Sequence, residues 1–167
     1  MKKAIILILL MLTSSCAWMN PKGSMLDNRE EISAAHLKPL SVCANQIKIE
    51  YDGFPNEVYN LANDWLEEVL KLNKDCENLV IFKINSAYIV RKHVGGITTY
   101  KDYIDAELTM HYMTGKTATA KAKTENLIKM DSDLTLAQKE NYKRSLHEQT
   151  MNSFDKTMRE SIRKWIK

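Results

Sequence analysis

Proline and glycine are scarce, with three and five in 167 residues, and no repeat or low-complexity tract replaces them. That composition excludes a disordered chain as the default. A strong charge of one sign is also missing: 24 basic residues face 21 acidic ones. General nucleic-acid binding, which shows a marked basic excess, has no support in that balance. Beyond the first dozen residues no apolar run is long enough to span a bilayer. There are three cysteines and four histidines, and the histidines are scattered at positions 36, 93, 111 and 147. No Gly-x-Ser-x-Gly elbow occurs, so the sequence offers no nucleophile–base set.

The N-terminus carries one distinctive pattern. Lys2 and Lys3 precede an unbroken apolar run over residues 4–12, and Thr13, Ser14 and Ser15 lead to Cys16. A charged start, a short apolar core and a small-residue exit are the physical pattern of an export signal. The ending Leu12-Thr13-Ser14-Ser15-Cys16 resembles the lipobox of bacterial lipoproteins, with Thr13 where that family usually has Leu, Val or Ile. The resemblance implies removal of residues 1–15 and palmitate-type acylation of Cys16, which becomes the membrane anchor. In that family a residue other than Asp after the cysteine, here Ala17, implies sorting to the outer membrane, facing the periplasm. Without Lys2 and Lys3 the mature chain holds 22 basic and 21 acidic residues, about +1, and is long enough for one domain with a core.

Residues 16–41 read as lipid anchor and tether, with turn chemistry at Asn20-Pro21-Lys22-Gly23-Ser24 and at most a turn or two of helix over 29–35 before Pro39. Residues 42–167 read as a single periplasmic domain. Residues 46–51 alternate, with Ile47, Ile49 and Tyr51 on one face of a strand. Pro55 and Asn56 suit a helix start, and Val58, Leu61, Ala62, Trp65, Leu66, Val69 and Leu70 follow at helical spacing. Cys43 precedes that strand and Cys76 follows that helix. The two points fall at one end of a strand–helix unit, so a disulfide is feasible in an oxidising compartment.

In residues 79–94, Val80, Phe82, Ile84, Tyr88 and Val90 share a parity that Ser86 interrupts, which predicts a bulge near Asn85-Ser86. A three-residue loop at Met113-Thr114-Gly115 would pair Tyr112 with Lys116. It then sets Met110, Leu108 and Ala106 opposite Ala118, Ala120 and Ala122. On the other face it sets Thr109, Glu107 and Asp105 opposite Thr119, Lys121 and Lys123. A two-residue loop would put Leu108 against Lys121 and scramble the faces. Thr135 with Gln138 predicts a capping box, followed by a helix whose stripe runs through Tyr142, Leu146, Met151, Phe154, Met158, Ile162 and Trp165. Continuous, that segment would measure about 48 Å at 1.5 Å per residue, and a kink is expected near Thr150, Met151 and Asn152.

Two motif fragments fail on chemistry. His147-Glu148 begins like a zinc-protease helix, but Met151 stands where the second ligand is needed; a solvated helix face is the expected account. Gly115-Lys116-Thr117 looks like the end of a phosphate loop, but Met110 replaces the required glycine and a strand follows. No metal or other cofactor is expected.

The expected architecture is α+β, in the order β-α-β-β-β-α: an antiparallel sheet of three or four strands with both helices on one face. That order resembles small domains of bacterial envelope lipoproteins, including the lipopolysaccharide-assembly lipoprotein, ABC-transport auxiliary lipoproteins and activators of cell-wall synthases. The leading expectation is a non-enzymatic accessory subunit with an envelope protein partner, and the charge balance argues against nucleic acid. The alternative is a lipid or ligand carrier with a cavity between sheet and helices. The expected partner surface is the uncovered sheet face carrying Asp105, Glu107, Thr109, Lys121 and Lys123.

Overall fold

The computed structural model describes residues 37–166. The expected signal sequence, Cys16 and the expected tether up to residue 36 lie outside the described residues. Within them the order is β1 (Leu40–Val42), β2 (Gln46–Tyr51), α1 (Glu57–Val69), β3 (Leu70–Leu72), β4 (Leu79–Val94), β5 (Ile97–His111), β6 (Thr117–Asp131), α2 (Leu136–Ile162) and a closing 3-10 turn, Arg163–Ile166. The main sheet runs β2-β4-β5-β6. It is mixed: β4, β5 and β6 are antiparallel, but β2 lies parallel to β4, because α1 carries the chain back to the starting end. The expected wholly antiparallel sheet is corrected at that one pair.

The hairpin between β5 and β6 has the register expected from its loop. Ala106, Leu108 and Met110 oppose Ala122, Ala120 and Ala118. The Tyr112 N–H donates to the Lys116 carbonyl at 2.9 Å, and Gly115 takes φ +79°, a conformation a side chain would strain. The alanines, with Ala120 and Ala122 fully buried, leave room for α2 against the sheet.

Helix α1 starts at Asn56, whose side chain accepts from the N–H groups of Val58 and Tyr59. Helix α2 starts at Thr135 with the capping box to Gln138 in place. It runs for 27 residues, about 40 Å, with no break at Thr150, Met151 or Asn152. The Thr150 hydroxyl folds back onto the Leu146 carbonyl at 2.9 Å, a bond that favours a bend there. Both helices pack on one sheet face. Trp65 of α1 meets Phe82 of β4 at 6.1 Å between ring centroids and Phe154 of α2 edge-on at 5.4 Å. All three rings are fully buried.

Two small features escaped the periodicity. β1 and β3 form a parallel pair, Leu40 to Leu70 through Val42 to Leu72. Leu37 and Leu40 already pack against the core, so the described fold takes in the last residues read as tether. Cys43 and Cys76 are bonded, with Cα atoms 5.2 Å apart. A second network, buried at its Trp65 end, ties three parts together. Trp65 Nε1 donates to Asp155 at 2.9 Å, Arg159 Nε donates to both oxygens of Asp155, and the Arg159 guanidinium also donates to the Lys38 carbonyl.

Candidate partner-docking face

With both helices on one side, the other face of the sheet has no covering element among the described residues. The bulge decides what that face displays. β4 shifts register between Ile84 and Ser86, so the alternation inverts there. Before the bulge Val80, Phe82 and Ile84 point to the core; after it Ala87 and Ile89 do. Tyr88 and Val90, expected on the core face, therefore stand outside, 39% and 40% exposed. Asn85, the extra residue, donates from Nδ2 to Asp105 Oδ1 at 3.1 Å and closes the gap the bulge leaves.

The outer face has two zones. Toward the Met113–Gly115 loop it is polar. Lys121 and Glu107 form an ion pair at 3.2 Å, and the hydroxyls of Thr109 and Thr119 lie 3.1 Å apart. Asp105 and Lys123 are opposite in register, as expected, but their side chains go elsewhere. Asp105 accepts from Asn85 and from the Tyr103 hydroxyl, and the Lys123 ammonium sits 5.4 Å from the Tyr103 ring centre. Tyr103 in turn stacks on Tyr88 at 4.7 Å. Toward the Gly95-Gly96 turn the face adds exposed Val90, Val94, Ile97 and Leu127, interleaved with charge: Lys101 lies between Val90 and Leu127 in register and pairs with Glu125 at 3.2 Å. The five residues singled out from the sequence thus share one face, which continues into this mixed zone. Paired charges interleaved with exposed apolar side chains have the composition of an interface rim.

The inner face holds a group the sequence reading placed wrongly. His147 is not on a solvated helix face; it is buried. Its Nδ1–H donates to Asp102 Oδ2 at 2.5 Å, and its Nε2 lies 3.5 Å from Glu57 Oε2. Asp102 is fully buried on the core side of β5. Burial pulls the His147 pKa down, but the hydrogen bond and charge of Asp102, with Glu57 behind, outweigh it and hold the imidazole above its ordinary value. Both ring nitrogens are engaged by carboxylates, so the ring joins β5, α1 and α2 and has no free nitrogen to act as a base. The signal was present in the sequence: position 102 has the core parity of Ile104, Ala106 and Leu108, and position 147 borders Leu146 and lies one turn before Met151.

No family model matches the chain, and no curated protein matches it significantly. The chain is similar, at low identity, to three solved proteins described as lipoproteins. The rare lipoprotein B from Shewanella oneidensis is 11% identical, with a TM-score of 0.46, over 74% of this chain and 100% of its own. A minor lipoprotein from Acinetobacter baumannii is 12% identical, with a TM-score of 0.41, over 68% of this chain and 90% of its own. A protein described as a lipoprotein, from Caulobacter crescentus, is 12% identical, with a TM-score of 0.38, over 72% of this chain and 89% of its own.

Proposed function

We propose that this chain is a non-enzymatic accessory subunit of an envelope assembly or transport complex. Lipid on Cys16 anchors it to the outer membrane on the periplasmic side, and the outer sheet face docks its partner. The observation that carries this reading is the face itself. A paired-charge patch around Glu107 and Lys121 adjoins exposed Tyr88, Val90 and Leu127, while both helices lie on the opposite side. Apolar contact supplies adhesion, and the mixed charges set register and partner choice. A carrier would need a cavity between sheet and helices. Trp65, Phe82 and Phe154 fill that space, which favours the subunit reading.

Exchanging the pair, Glu107→Lys with Lys121→Glu, tests the docking face. The cross-strand attraction survives, so stability should change by well under about 1 kcal/mol. Co-purification with the envelope partner should fall. A folded double variant that keeps its partner at wild-type yield would remove this face from the account.

A further inference from the structure

The second half of β4 is an open strand edge. β2 accompanies β4 only from Leu79 to Ile84. Beyond that point the strand neighbour of β4 is β5 alone, among the described residues. One backbone group on the open side is already engaged: Asn56 Nδ2 donates to the Ala87 carbonyl at 2.8 Å, where β2 has ended and α1 begins. That bond also reveals which groups face outward. Backbone groups of successive strand residues alternate sides, so those of Ile89, Arg91 and His93 share the side of Ala87. The edge therefore offers a row of N–H donors and carbonyl acceptors to an incoming strand.

The side chains along the edge specify what would pair there. On the outer face Tyr88 and Val90 are exposed, followed by exposed Lys92. On the inner face, past the start of α1, Arg91 is exposed and sits 5.7 Å from the centre of the Tyr100 ring, with the Lys143 ammonium 5.4 Å from the same ring. Lys143 is held by Glu140, but neither Arg91 nor Lys92 has a carboxylate partner among the described residues. Antiparallel self-pairing centred on Arg91 would set it opposite its own copy, which is unfavourable. The other edge, β6, differs: the Lys121 N–H is already taken by the Ser161 hydroxyl at the end of α2.

We propose that the edge of β4 over residues 88–94 accepts an extended segment of the partner protein as an added strand. Its acidic side chains would meet Arg91 and its apolar side chains would meet Tyr88 and Val90. This names the partner chemistry of the accessory subunit and rests on that reading. The edge is nevertheless a different surface from the Glu107–Lys121 patch, so the two tests fail separately.

The probe is a capped octapeptide of alternating valine and glutamate, with a valine–lysine peptide as control. Both are added to the isotope-labelled mature chain, and amide exchange is followed by NMR. Saturating valine–glutamate peptide should slow exchange at Ile89, Arg91 and His93 by about tenfold or more, and the lysine peptide should not. The double variant Arg91→Glu, Lys92→Glu should reverse that preference. Arg91→Pro, which removes one outward N–H, should abolish binding; if that variant does not fold, the charge reversal carries the test alone. Any of four results would overturn the proposal: no protection, equal protection by both peptides, protection along β6 instead, or protection without peptide that vanishes on dilution or on deleting residues 17–36. The last would assign the edge to a second copy or to the chain's own tether.

Discussion

Replacing His147 by alanine leaves the carboxylate of Asp102 fully buried without its main partner. Oδ1 of Asp102 has no hydrogen-bond partner in the described structure, and the Thr150 hydroxyl lies 3.4 Å from Oδ2 while donating at 2.9 Å to Leu146. Little is therefore available to take over. Removing one member of a buried pair costs about 3–5 kcal/mol. For a domain of this size each kcal/mol lowers Tm by about 3–4 °C, so a loss of about 10–20 °C is expected in a calorimetric scan. The pH dependence gives a second check. The His147 pKa is raised in the folded state, so the fold binds that proton more tightly than the unfolded chain. The resulting stability is complete below the unfolded value of about 6.5 and is lost as pH rises through the higher folded value. Urea titrations should show wild-type stability declining over that window and His147→Ala lacking this component. Replacing both residues, Asp102→Leu with His147→Leu, should recover most of the loss. A destabilisation under about 1 kcal/mol, with the wild-type pH slope intact, would refute a buried pair joining the sheet to both helices.

Two further expectations concern the cysteines. Cys76→Ser opens a loop of 33 residues' separation and should cost roughly 3–4 kcal/mol by chain entropy; finding both thiols freely alkylated in envelope-purified protein would contradict the bond. Cys16→Ser should accumulate an unprocessed precursor on gels, and cleavage after residue 15 with unchanged membrane partition would contradict lipid anchoring.

The legible parts of the fold were those where two constraints met at one residue. At Gly115 the loop length and the apolar alternation of β5 agree on a single register, and the structure has it. At Asn56 and Thr135 a capping side chain coincides with the onset of a helical stripe. What was hidden has equally local causes. β1 and β3 are three residues each, too short to display a period. Asp102 and His147 are polar residues on core-facing positions, and polarity alone assigns them to water. The bulge at Asn85 was readable, but its consequence, the inversion that turns Tyr88 and Val90 outward, follows only when Ala87 is recognised as the core residue. That inversion separates a merely polar sheet face from one that also exposes Tyr88 and Val90. The proposed docking surface was thus half legible: the Glu107–Lys121 zone from register, the Tyr88–Val90 zone from the structure.

The central claim is that the outer sheet face, and not the helices, meets the partner. A photo-crosslinking residue placed at Thr109 or Val90, on the outer face, and at Gln149, on the exposed side of α2, measures this in intact envelopes. The account predicts one discrete protein adduct shared by the two outer-face positions and none from Gln149. Adducts from Gln149 alone, with the outer-face positions silent, would contradict it.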